Sequence, residues 1–327
     1  MEHILKNVSE STLKQWANAP DDDKNFASLH YVDAFLSLKK IGGIPRKNNG
    51  TWDFILDQCT NKRKELERVL SYACGFGHAE RALATVRKFK QCDAYDIVPE
   101  ALDSAREQAK NAGINNINYE IMDLNNVKLS HDYDLVIAGG IHHIKNLEQL
   151  FSETSSHLLK GGVFQLYEYI GETQCQPTQR TVEIINACIQ LIPPIYRVKV
   201  SSQRELHVNS PAEAIRVIKE RDLDVEDYLW NSFTPMTREQ WDVQDPSEAV
   251  RSDEIIPLLK ENFDSVEVRY SGGTIVQFAI HDIAKNFAID TMEARNILDM
   301  LWNIEQTVIK YDDVPENYAF IIANNLD

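Results

Sequence analysis

Between Arg68 and Ile170, short apolar runs alternate with stretches whose apolar residues recur every three or four positions. The runs Arg68 to Ala73, Cys92 to Ile97, Ile117 to Leu124, Tyr133 to Gly139 and Val163 to Ile170 predict strands. Helical spacing fills the segments from His78 to Phe89, Pro99 to Ala112 and Asn146 to Leu159. Strand and helix in alternation at this pitch make βαβ units, hence an α/β fold with a doubly wound, parallel, Rossmann-like sheet over residues 65–170. Right-handed crossovers place helices on both faces and gather the carboxyl ends of the strands along one crevice.

The flanks read differently. Phe26, Leu29, Val32, Phe35 and Leu36 form a helical stripe, so residues 1–64 predict an N-terminal helical region. Past Gly171 the alternation stops, and 171–263 reads as a mainly helical insertion able to cap the crevice. In it, Asp245-Pro246-Ser247-Glu248 has the order of a helix start, with Asp as N-cap, Pro at the first position and Glu at the third. Ser265 to Tyr270 and Thr274 to Ile280 flank Ser271-Gly272-Gly273, which predicts a hairpin over 264–281 completing the sheet. Residues 282–327 predict C-terminal helices, the last from Pro315 through Asn325.

Composition narrows the partners. Fifty acidic against thirty-four basic residues give a net charge of −16, a field that repels nucleic acid and anionic membrane surfaces. The five cysteines lack metal-ligand spacing, and no apolar run is long enough to span a bilayer. The expectation is a cytoplasmic, reduced protein without membrane insertion, with homo-oligomerisation left open.

The chemistry begins at Ala73-Cys74-Gly75-Phe76-Gly77, where the first strand hands over to a helix. Glycines there permit a tight turn and let backbone approach a ligand that a side chain would fend off. Asp96 ends the second strand, where a carboxylate accepts hydrogen bonds from ribose hydroxyls, and Asp123 ends the third on the same edge. A nicotinamide dinucleotide enzyme would want G-x-G-x-x-G/A; Gly75-Phe-Gly77-His-Ala79-Glu80 departs from it.

In these residues the chain resembles the class I S-adenosylmethionine-dependent methyltransferases, over Arg68 to Ile170. The resemblance implies that Gly75 and Gly77 form the cofactor loop, that Asp96 holds the ribose, that Ile97 lies against adenine and that Asp123 meets its amino group. Ala73, Cys74, Leu124 and Ala138 complete the implied S-adenosyl-L-methionine site. The family often carries an acidic residue before the loop and a glycine at its first position, where Ser71 and Ala73 stand here.

The fourth strand leads into Ile141-His142-His143-Ile144, and in the resemblance it lies beside the transferred methyl group. Imidazole suits proton removal near neutral pH, which makes His142 a candidate base and His143 a candidate acceptor contact, the latter equally readable as a packed helix cap. Glu168, at the end of the fifth strand, is the other candidate, with Tyr169 beside it. Asp245 through Ser252, Gly272-Gly273-Thr274 and Glu168 through Gly171 also resemble a bacterial methyltransferase subfamily associated with polysaccharide and glycan gene clusters. That implies a sugar, glycan or other small-molecule acceptor, methylated on a hydroxyl. In-line transfer requires no metal, and the Arg251 guanidinium is suited to hold an anionic acceptor bidentately. The competing expectation is a non-catalytic S-adenosylmethionine-binding module that regulates or scaffolds a partner.

Overall fold

The computed structural model describes residues 50–59, 65–86, 89–288 and 291–325, together with Leu13 and Ala17. The helical stripe from Phe26 to Leu36 lies outside the described residues.

The first described helix is α1 (Gly50–Gln58), followed by β1 (Leu66–Tyr72), α2 (His78–Val86), β2 (Phe89–Asp96), α3 (Pro99–Asn111) and β3 (Ile117–Ile121). Then come β4 (Tyr133–Ala138), α4 (Leu147–His157) and β5 (Leu158–Tyr169). The capping segment holds α5 (Gln179–Leu191), α6 (Val200–Glu205), α7 (Pro211–Glu220), α8 (Arg238–Gln244) and α9 (Ile255–Asn262). The chain closes with β6 (Ser265–Tyr270), α10 (Val276–Ala279), α11 (Met292–Lys310) and β7 (Tyr318–Asn324).

The strands form one seven-stranded sheet in the order β3-β2-β1-β4-β5-β7-β6. The first five are parallel, while β7 runs antiparallel between β5 and β6. The expected doubly wound α/β sheet is therefore present. Its winding reverses between β1 and β4, and ligands of such sheets bind where that reversal opens a crevice at the carboxyl ends.

Burial explains the pattern. β4 is buried from Tyr133 through Ile137, a central strand covered on both faces. One face packs Leu70, Tyr72, Val136, Phe164 and Leu166 against α4 and α9; the other packs Val69, Leu135, Ile137 and Val163 against α1 and Leu83 of α2. A separate core joins this segment to the C-terminal part of the chain, with Ile185 and Ile189 of α5 against Ile280, Leu298 and Leu301.

Two expected elements are corrected. Thr274 to Ile280 is no strand: Val276–Ala279 is a helical turn, so β6 pairs with β7 instead of forming a hairpin with its neighbour. Pro315 to Asn325 is no helix, because Tyr318–Asn324 is the strand β7 inserted beside β5. A third correction concerns Asp245. It is no N-cap, standing instead at the C-cap of α8; its carboxylate accepts the Ser247 N–H at 3.1 Å and closes a local turn, and helix α9 starts only at Ile255. No helix among the described residues is long and apolar enough to cross a membrane.

Candidate functional site

The loop between β1 and α2 is built from left-handed backbone. Ala73, Gly75 and Gly77 have φ of 46°, 52° and 74°. A side chain at Gly77 would collide with Arg81, Tyr119 and Glu80, so close packing as well as φ demands glycine there. Ala73 adopts the left-handed region despite its Cβ, a strain of about 1 kcal/mol for an L-residue. Ser71, standing where the family often has an acid, donates to Oε2 of Glu80 at 3.2 Å. Glu80 is fully buried at the start of α2, and burial raises its pKa. A carboxylate thus reaches the loop from the helix side, which sequence spacing did not reveal.

Asp96 lies at the carboxyl end of β2, almost wholly buried. Its Oδ2 accepts the Gly75 N–H at 2.7 Å and its Oδ1 the Val98 N–H at 2.9 Å. A carboxylate oxygen has two acceptor positions, so one on each oxygen is left for a ligand hydroxyl. Burial raises the Asp96 pKa, and the two N–H groups offset part of that rise. Val98 and Pro99 open α3 directly after Ile97. Asp123 accepts from the Asn125 N–H and from the Asn126 side chain, capping a short helical turn that contains buried Leu124. A cavity of about 430 Å³ opens under α1 beside this loop, lined by Ser71, Ala73, Cys74, Ala138, Gly139 and Gln165 among others.

These features fit S-adenosylmethionine. Paired acceptors on a buried carboxylate suit a ribose diol, and a turn free of side chains at Gly75, where a Cβ would meet open space, leaves room beside it.

The other half of the site lies past β4 and β5. Gly140, with φ of 74°, turns the chain so that Ile141–His143 forms a single helical turn over the end of β5. Glu168 is completely buried below it and holds it: Oε1 accepts the Ile141 N–H at 2.8 Å, and Oε2 lies 2.7 Å from Nδ1 of His142. Nε2 of His142 then faces Glu248, 3.9 Å away. His143 stands beside it, with ring centroids 4.3 Å apart. Its Nδ1 approaches Ser247 Oγ at 3.3 Å, its Nε2 approaches Glu248 at 3.8 Å, and Ser247 Oγ donates to Asp245 at 2.6 Å.

Burial pulls the His142 imidazole down, but the Glu168 hydrogen bond and the charges of Glu168, Glu248 and Asp245 carry it above its usual value. His143 goes the other way, held well below by burial and by the neighbouring His142. Burial raises Glu248, opposed by His142. Opposite shifts on adjacent imidazoles mark a functional site more often than a packed core.

Glu248 and Asp245 arrive from a distant loop, which main-chain bonds dock on the strand ends. The Val250 N–H donates to the His142 carbonyl at 3.0 Å, the Gln174 N–H donates to the Ala249 carbonyl at 2.8 Å, and Ser252 Oγ donates to the Gly171 carbonyl at 2.7 Å. Sequence reasoning gave Glu248 only a capping role. Nothing local distinguishes it, since its partner His142 is more than a hundred positions away.

Tyr169 is buried, its ring edge-on to His142 at 6.2 Å and to Tyr318 at 5.5 Å, so it forms a wall of the cluster. Arg251 is not brought to it. Its guanidinium is taken by Glu148 at 2.7 Å, Glu254 at 2.6 Å and the Lys145 carbonyl at 2.7 Å, locking the loop to α4.

Residues 69–162 match the family model described as a methyltransferase domain. The sequence has no significant match among curated proteins. Among solved structures, an S-adenosylmethionine-dependent methyltransferase from Clostridium acetobutylicum is 26% identical at a TM-score of 0.33, the alignment covering 42% of this chain and 56% of that one. A StiE O-methyltransferase segment is 13% identical at a TM-score of 0.40, covering 80% and 68%. A Haemonchus contortus phosphoethanolamine N-methyltransferase in complex with S-adenosyl-L-methionine is 16% identical at a TM-score of 0.42, covering 93% and 60%. The matched segment contains the glycine loop, Asp96, Asp123 and the histidine pair: it is a methyltransferase domain, and its cofactor is S-adenosylmethionine.

Proposed function

We propose that the whole chain transfers a methyl group to a hydroxyl oxygen of a small polyol, sugar or glycan acceptor, presented to the face formed by His142, His143 and Glu248. When bound, S-adenosylmethionine supplies a methyl carbon on a sulfonium, open to in-line displacement. Gly75, Gly77 and Asp96 hold that cofactor, with Ile97, Asp123 and Leu124 on its adenine side and Ala73, Cys74 and Ala138 around its methionine side.

The observation that carries this reading is the Glu168–His142 pair. Glu168, fixed by the Ile141 N–H, accepts from Nδ1 of His142 and so holds the ring proton there. The Nε2 lone pair then faces the gap toward Glu248, where an acceptor hydroxyl can give up its proton as its oxygen forms the new bond. Glu248 stands within reach to orient the same hydroxyl. Alignment of the oxygen supplies the remainder of the rate enhancement.

The charge around the imidazoles favours a neutral acceptor. Glu168, Asp245 and Glu248 are all acidic, and the loop's own cation, Arg251, is committed to Glu148 and Glu254. An anionic acceptor would meet repulsion there. The alternative of a non-catalytic module drew on Ser71 and Ala73, yet Ala73 takes the backbone geometry of a loop glycine and Glu80 brings a carboxylate to Ser71.

The test is product formation over a panel of neutral sugars and polyols with isotopically labelled S-adenosylmethionine, alongside calorimetry with S-adenosylhomocysteine. Turnover on a neutral hydroxyl that disappears in His142→Ala, while S-adenosylhomocysteine affinity is kept, supports the reading. Cofactor binding without turnover on any acceptor sinks it.

A further inference from the structure

We propose that Nε2 of His142, Nε2 of His143 and the carboxylate of Glu248 hold one first-row divalent cation of the zinc, iron or manganese kind. One ring nitrogen of each histidine and one Glu248 oxygen lie within 4.8 Å of one another. His142 Nε2 stands 3.9 Å from Oε1 of Glu248 and His143 Nε2 3.8 Å from its Oε2, both beyond a hydrogen bond. These distances match what two ligand atoms show when each stands about 2.1 Å from a shared ion, a span of at most about 4.2 Å.

The protons argue the same way. His142 points Nδ1 at Glu168, and His143 points Nδ1 at Ser247, whose own proton goes to Asp245. Both imidazoles then carry hydrogen on Nδ1, and both Nε2 lone pairs turn toward an acidic oxygen. The two imidazoles and the Glu248 carboxylate thus border one small space, where a cation would be met by all three side chains. Outer carboxylate and hydroxyl partners on ligating histidines are also what fixes ring orientation in metal sites. Two imidazoles and one carboxylate favour a transition ion over magnesium or calcium, which want oxygen.

This inference rests on the reading of the cluster as the acceptor site and deepens it. The remaining coordination positions would take the acceptor's oxygen, so the ion would acidify the hydroxyl and its proton would pass to the Glu248 oxygen that the ion leaves free. It departs from the metal independence expected of in-line transfer.

The test needs neither cofactor nor acceptor. Chelator-treated full-length protein is titrated calorimetrically with Zn²⁺ and, separately, Mn²⁺, and melting temperature is followed with and without the ion. The expected result is one ion per chain for at least one of the two metals, with a raised melting temperature. His143→Ala and Glu248→Gln should each weaken binding at least about tenfold and abolish the melting shift. Circular dichroism verifies that both variants fold, and His131→Ala, on an exposed histidine, should bind like the wild type. Absence of stoichiometric binding, or binding unchanged in both ligand variants, overturns the proposal. Methyl transfer by metal-free protein would overturn the assigned role while leaving the proposed acceptor class intact, whereas ion binding without any methyl transfer would sink that class and keep the site.

Discussion

Glu168 and Glu305 are both fully buried, and both accept hydrogen bonds from the backbone of a glycine-bearing turn, yet their surroundings differ. Glu305, on α11 in the core of the cap, receives the N–H groups of Gly273, Thr274, Ile275 and Val276, so both oxygens are consumed. Burial raises its pKa against those four donors. Glu168, under the β4–β5 edge, gives one oxygen to Ile141 and spends the other on an imidazole whose far nitrogen faces Glu248. Glu305 is saturated by main chain, whereas Glu168 shares its oxygens between main chain and a titratable ring. Burial alone does not separate them.

Substitution should separate them sharply. Replacing Glu168 by Gln puts an amide N–H opposite Nδ1 of His142, which reverses the tautomer and moves the ring proton to Nε2. Turnover should fall about 10²- to 10⁴-fold, the usual worth of a positioned proton-transfer group, with unfolding in urea only modestly earlier. The opposite profile belongs to Glu305→Ala, which strands four N–H groups in an apolar core. Urea denaturation should show a loss of at least about 3 kcal/mol, with kcat of the remaining folded fraction little changed. If the two variants behaved alike, the distinction would be lost.

The cofactor edge supplies an intermediate case. Asp96→Asn keeps the shape but loses charge and one acceptor set, so S-adenosylhomocysteine should bind about 10- to 100-fold more weakly by calorimetry. Because burial raises the Asp96 pKa, a proton arrives above the ordinary carboxylate value of about 3.9 and competes with the ribose, so affinity should fall on acidification toward that range. The stability contribution has the opposite sign: a folded pKa above the unfolded one favours folding below the unfolded value and loses that advantage as pH rises through the folded value. Through this group, acidification weakens binding while easing folding. The smallest effect is expected at Ala73→Gly, where relief of the left-handed φ of 46° should about offset the entropy of a new glycine, shifting the melting temperature by no more than a few degrees and leaving S-adenosylhomocysteine affinity unchanged.

The parallel half of the sheet was legible because local period and turn chemistry agree there: apolar runs end in Gly75-Phe-Gly77, Asp96 and Asp123, and each falls at the carboxyl end of its strand. Tyr318-Ala-Phe-Ile-Ile-Ala was misread because a strand buried on both faces has no alternation to betray it, and length alone did not exclude a helix. The Thr274 segment bends into a helical turn because Glu305, thirty positions away, collects its N–H groups. Asp245-Pro246 has the sequence of a helix start and of an Asp-closed turn alike, and docking on His142 selects the turn. For the same reason nothing in the sequence tied Glu248 to His142, while His142 and Glu168 were expected near strand ends and lie together there.

The central claim is that the Asp96 edge and the His142–Glu168 edge form one methyl-transfer site. A crystal structure with S-adenosylhomocysteine tests it most directly: the account predicts both ribose hydroxyls on Asp96 and the sulfur facing the space in front of His142, His143 and Glu248. A cofactor seated on Asp96 with its sulfur turned away from those three residues would contradict it.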